Sequence, residues 1–135
     1  MRFVDTNVLL YSISSATQEV AKRRTAQSLL HAQDLAISVQ VLQEFYVQAT
    51  RAGARHRLTH AQAVTLMESW ERFPVQEMTL PVVHGALLAC ERWGVSYWDA
   101  AIIEAARLLD CRTVLTEDLQ HGQNFDGVRA VNPFR

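Results

Sequence analysis

At 135 residues the chain is sized for a single domain, 1–135, which buries roughly 68% of the surface exposed by its unfolded form. Hydrophobic content of 49% and charged content of 20% describe a globular chain, and no apolar run approaches the ~20 residues of a membrane span. A formal net charge of −1 excludes a global pull toward nucleic acid and leaves any such binding to local patches.

Phe3-Val4 reads as the end of a short buried strand. Asp5 interrupts the apolar run, Thr6-Asn7 are cap and turn residues, and Val8 to Tyr11 begin a helix. This strand starts so early that it leaves no room for a signal or transit peptide. After a polar break at Ser14–Thr17, apolar residues at helical spacing predict a helix over 19–33. Leu35-Ala36-Ile37 is strand-like, and Ser38 is a good cap for a helix over 39–52, which Gly53 closes. Thr59 caps a further helix to about Arg72, and 73–77 reads as a strand. Thr79 and Pro81 announce a helix to Trp93 that Gly94 ends. Ser96 starts a helix to about Leu109. Thr113–Leu115 and Val128–Val131 are the remaining strands, with Thr116 to Leu119 as the exit from the first. Cys90 and Cys111 lack C-x-x-C spacing and read as buried thiols of a chain kept in the reducing cytoplasm.

Strands alternate with helices, so the expected fold class is α/β, with a central parallel sheet covered on both faces. Strand carboxyl ends then share one edge, where ligands bind in such sheets. Asp5 and Asp118 each follow a strand and should meet there. Asp5 as a plain helix cap is the competing account. Glu44 points away from the stripe formed by Val41, Leu42, Phe45, Tyr46 and Ala49, toward solvent or a cleft. Asp99 stands three residues after Ser96, either as half of a capping box or as a half-buried acid at a helix start.

Two carboxylates ~4 Å apart repel by about 4 kcal/mol at an effective dielectric of 20. That is comparable with the ~5–15 kcal/mol stability of a whole domain. Several acids at one edge therefore call for a cation among them. All-oxygen ligation suits Mg²⁺ or Mn²⁺ rather than Zn²⁺. The implied chemistry is metal-assisted phosphodiester hydrolysis.

Asp5-Thr6-Asn7, Gln43-Glu44-Phe45-Tyr46, Ser96 to Ile102 and Thr116-Glu117-Asp118-Leu119 occur in this order over nearly the whole chain. Together they resemble a PIN-domain ribonuclease, in particular the VapC-type toxins of bacterial toxin–antitoxin pairs. The resemblance implies a three-layer α/β/α fold and a Mg²⁺- or Mn²⁺-dependent endoribonuclease. Its catalytic and metal-binding acids fall on Asp5, Glu44, Asp99 and Asp118, with Glu44 acting directly or through water. Asn7 and Thr116 match its supporting polar positions. Glu117 adds an acid beside Asp118, and either of the two could reach the metal; Asp118 is the expected ligand. The resemblance also implies a homodimer and a VapB-like antitoxin whose tail lies across the acidic pocket.

Arg51, Arg55 and Arg57, with His56 and His60 among them, are candidate RNA-phosphate contacts. Lys22-Arg23-Arg24 reads as a solvated face, and Trp70 and Trp93 as core. His121 reads as a loop residue without a role. A receiver-type domain would want paired acids at the first strand and a late lysine, whereas Lys22 is the only lysine. An aspartyl-nucleophile phosphatase would want an acid where Asn7 stands, and a dinucleotide-binding domain a Gly-rich first turn. A non-catalytic PIN-fold module binding RNA or protein is the remaining alternative.

Overall fold

A computed structural model describes residues 1–54 and 56–135. β1 (Arg2–Val4) runs into α1 (Thr6–Ser12) because Asp5 is extended and its Oδ1 accepts a hydrogen bond from the Thr6 N–H at 2.7 Å. A 3-10 turn (Thr17–Glu19) leads into α2 (Val20–Leu30). β2 (Leu35–Ser38) hands over to α3 (Val39–Thr50), whose Val41 N–H donates to the Ser38 hydroxyl at 3.2 Å. α4 (His60–Trp70) opens with a capping box of Thr59 and Gln62. β3 (Val75–Gln76), α5 (Leu80–Trp93), α6 (Tyr97–Leu108), β4 (Thr113–Leu115), β5 (Asn124–Phe125) and β6 (Val128–Val131) complete the order.

The strands lie in the order β3-β2-β1-β4-β6-β5. The central sheet is parallel as the sequence suggested, and one antiparallel edge strand makes it mixed. β5 pairs antiparallel with β6 through a tight turn at Asp126 (φ 57°) and Gly127 (φ 99°). An Asp-Gly pair is a hairpin signal that a two-residue strand makes easy to overlook. The helix expected over 19–33 ends at Leu30, where His31 turns back on the Ser28 and Leu29 carbonyls. The strand expected over 73–77 contracts to two residues.

Register matters most at the centre. Val4 pairs with Leu115, and Leu115 with Val131, so β1, β4 and β6 end level. Asp5 N–H donates to Leu115 C=O at 3.1 Å and Thr116 N–H to Val131 C=O at 3.0 Å, which places the two side chains together just past the sheet. Phe3 pairs with Ala36, so the carboxyl end of β2 and the start of α3 come to the same edge. At the opposite edge Arg2 grips Asp34 through two side-chain hydrogen bonds of 2.8 and 2.7 Å and fixes the β1–β2 stagger.

Phe3, Val4, Leu35, Ile37, Val114 and Phe125 are buried in the sheet, with Val8, Leu9, Phe45 and Ile103 from the helices upon it. Phe45 meets Trp70 edge-on at 4.7 Å between ring centroids. Trp70 is buried as expected, and Trp93 is half-buried against Phe125. A smaller cluster of Val82, Ala86, Ala89, Ala100 and Ala101 joins α5 to α6. Cys111 is buried, but Cys90 is only half-buried, less enclosed than its apolar sequence context implied. Among the described residues no helix is long and apolar enough to cross a membrane.

Candidate active site

Asp5 is 5% exposed, and three donors converge on it. Thr6 N–H binds Oδ1, while the Thr116 hydroxyl at 2.8 Å and the Asn7 amide at 3.4 Å bind Oδ2. These bonds do not compensate the loss of water. Burial, joined by repulsion from Asp118 and Glu44, pushes the Asp5 carboxyl up to about 7 from 3.8, against the pull of Thr116 and Thr6. The carboxylate is therefore both a helix cap and a member of an acidic group, and the two accounts of it are compatible.

Asn7 and Thr116 tie Asp5 to Asp118. Asn7 Nδ2 also donates to Asp118 Oδ2 at 3.1 Å and to Thr116 Oγ1 at 3.2 Å. Thr116, fully buried, accepts from the Asp118 N–H at 3.0 Å. The Thr116 proton is thereby directed at Asp5 and its lone pairs at the Asp118 loop.

A second chain of bonds brings in the other acids. Thr6 Oγ1 donates to Glu44 Oε2 at 3.1 Å. Gln40, one turn before Glu44 on α3, donates to Glu44 Oε1 at 2.7 Å and to the Trp98 carbonyl at 3.2 Å, which fixes the start of α6 beside Asp99. Burial, eased by the Ser96 hydroxyl and sharpened by repulsion from Asp118 and Glu44, raises the Asp99 carboxyl above its ordinary value. Sequence reasoning passed over Gln40. Its signal was an amide at i−4 to Glu44 in the first turn of α3.

Glu117 lies elsewhere in the network. The Tyr11 hydroxyl donates to its Oε1, and Lys22 Nζ to its Oε2 at 3.0 Å. Lys22 is accordingly an ion-paired side chain, not part of a solvated face as its sequence neighbours suggested.

A cleft of about 420 Å³ beside the acids is lined by Glu44 and Asp118, and also by Leu10, Ile13, Arg51 and His56. Arg51 follows Glu44 by seven residues, about 10 Å of helix rise. Arg57 does not line it, and its Nε donates to the Thr50 carbonyl at 2.9 Å. Arg55 lies outside the described residues. His60 is bonded to the Tyr46 hydroxyl and His56 to the Ser15 hydroxyl. His121 has a structural partner, the Asn132 N–H at 2.9 Å.

The donor set suits a hard divalent cation on three counts. All four acids offer oxygen. Asp5 is buried at a value that a cation would draw down. Asn7 Oδ1 is buried without a hydrogen-bond partner among the described residues. No group of three or more His, Cys, Asp or Glu among the described residues converges into a ready-made cage. Mg²⁺ keeps several waters and is commonly held by one or two carboxylates, so a looser group is compatible with it.

By fold and site this is an α/β domain with a carboxylate centre at the carboxyl ends of its parallel strands. A family model for the PIN domain matches residues 2–124, and the chain belongs to the PIN-domain family. Among solved structures, a chain of a toxin–antitoxin complex from Klebsiella pneumoniae superposes with a TM-score of 0.72 at 19% identity, over 98% of each chain. VapC20 of Mycobacterium tuberculosis, described as a toxin cleaving the sarcin–ricin loop, gives 0.67 at 20% identity, over 87% of this chain and 92% of its own. A chain of DNA-bound VapBC from Salmonella typhimurium gives 0.66 at 19% identity, over 98% and 97%. No curated protein sequence matches the chain significantly.

Proposed function

We propose that this chain is the toxin of a toxin–antitoxin pair and a Mg²⁺- or Mn²⁺-dependent endoribonuclease. One observation carries the reading. Two runs of hydrogen bonds, Asp5–Asn7–Asp118 and Thr6–Glu44–Gln40–Trp98, bring Asp5, Asp118 and Glu44 to one sheet edge and tie to them the start of α6, which carries Asp99. Asp5, Asp99 and Asp118 are the proposed metal ligands, with Glu44 binding directly or through water. When bound, such an ion lowers the pKa of water and neutralises charge at a phosphoryl group. Thr116 and Asn7 hold Asp5 and Asp118 at fixed separation, so the acids are oriented before substrate arrives. Arg51 on the cleft is suited to a flanking phosphate of a single-stranded RNA.

The solved toxin–antitoxin complexes of the same fold support an antitoxin partner for this chain, VapB-like in kind. A homodimer is supported by the outer face of α5. There Leu80, Leu87 and Leu88 are 70%, 56% and 70% exposed at helical spacing.

The test is cleavage of total RNA by the purified, antitoxin-free chain with Mg²⁺ or Mn²⁺, then with chelator, with Asp5→Asn as control. Metal-dependent cuts that vanish in the variant are expected. A chain that binds RNA but never cuts it with either ion is a binding module, and the enzymatic reading fails.

A further inference from the structure

Glu117 and Asp118 are adjacent, and both line the cleft. Only Asp118 is bonded into the network around Asp5. Glu117 is held instead at the C-terminal end of α1, where Lys22 and Tyr11 bind both of its oxygens.

The holder is itself boxed in. Lys22 Nζ donates to the Tyr11 hydroxyl at 3.1 Å and stands 4.7 Å from the Tyr11 ring centroid and 5.9 Å from that of Phe134. The Tyr11 and Phe134 rings meet edge-on at 4.9 Å. Phe134 is placed by its N–H, which donates to Asn132 Oδ1 at 2.9 Å. α1, α2 and the chain's last residues thus build a receptor for one carboxylate. The ammonium meets a carboxylate, a phenol oxygen and two ring faces, a cation–π arrangement that restricts its rotamers. The Lys22 side chain remains 39% exposed and that of Glu117 23%.

We infer that Lys22 is a positioning residue for the metal centre: with Tyr11 and Phe134 it retains Glu117 and so leaves Asp118 as the sole acid of this loop available to the cation. The inference rests on the proposed metal-dependent reading and deepens it. If Glu117 were released, a fifth carboxylate would stand beside four that already repel one another. Its repulsion from them would draw the Asp118 backbone away from Thr116 and carry Asp118 out of line with Asp5. Lys22 touches no substrate in this role.

The experiment is metal binding by the antitoxin-free chain without RNA, read by calorimetry with Mn²⁺, alongside cleavage. Lys22→Met is expected to weaken Mn²⁺ binding about fivefold, the upper end for a partly exposed ion pair. Lys22→Arg is expected to retain most of it. Glu117→Gln is expected to bind Mn²⁺ within about twofold of the parent chain, because the carboxylate it removes is not a ligand. The decisive variant is Lys22→Met/Glu117→Gln, in which no stray carboxylate exists and binding should recover. Recovery is something a merely structural lysine would not give. Loss of Mn²⁺ binding in Glu117→Gln alone makes Glu117 a ligand and overturns the inference, as does failure of the double variant to recover. If Mn²⁺ binds and responds in this pattern but no RNA is cut, the positioning role stands and the nuclease reading falls.

Discussion

Replacing Asp5 by Asn separates its two roles, helix cap and buried acid. In the folded chain its carboxyl is raised from 3.8 to about 7. The folded form therefore holds the proton more tightly than the unfolded form between those values. The corresponding stability is fully present below about pH 4 and is lost as pH rises through 7. At ~1.4 kcal/mol per unit, the loss between pH 5 and pH 8 is roughly 3 kcal/mol. Asp5→Asn does not titrate. Its side-chain oxygen can still accept from Thr6 N–H, but its amide meets a Thr116 hydroxyl that already receives Asp118 N–H and Asn7. One lost hydrogen bond costs about 1 kcal/mol. Without metal the variant should lie within about 1 kcal/mol of the parent at pH 5 and be about 3 kcal/mol more stable at pH 8. For a chain of this length that corresponds to about 10 °C in Tm. Thermal melts of both chains in chelator at the two pH values test it. Adding Mg²⁺ at pH 8 should raise the parent's Tm and leave the variant's unchanged. A parent–variant difference that is constant with pH, or a variant much less stable at pH 8, would mean that Asp5 is a cap and nothing more.

Thr116→Val removes a buried hydroxyl that serves Asp5, Asn7 and Asp118 together. It should lose about 1–3 kcal/mol in denaturant unfolding, with a cleavage rate at least tenfold lower. Because Asp5 must shed its proton to hold a cation, cleavage at limiting Mg²⁺ should rise by about tenfold per unit from pH 5.5 toward 7. Excess metal should shift that limb to lower pH, and a flat profile contradicts it. Phe45→Ala empties a fully buried site against Trp70 and should cost about 3–5 kcal/mol, read as a lower denaturant midpoint. Gly127→Ala, at φ 99°, forces a side chain into left-handed backbone at the β5–β6 turn. It should cost about 1–2 kcal/mol in the same assay, with cleavage retained.

Local chemistry announced itself in the sequence, and remote partners did not. Ser38, Thr59, Thr79 and Ser96 each cap the helix that follows, because a cap is settled by residues three positions apart. The strand ends at Val4 and Leu115 were equally legible, and with them the meeting of Asp5 and Asp118. The role of Lys22 was not, since Glu117 stands 95 residues away and the lysine sits between two arginines that make it look solvated. Among the basic residues, sequence proximity did not separate Arg51, which faces the cleft, from Arg57, which turns back on α3. β5 escaped notice because two residues carry no periodicity, leaving only the turn beside it as a signal.

The outermost strands, β3 and β5, are two residues each, about 7 Å of extended backbone. A foreign strand laid along either margin would find only a rung or two to grip. Growth by sheet extension, the usual route to fibrils, is therefore poorly served by the folded form. The broader surfaces the chain offers are its helix faces and the groove beside its carboxylates.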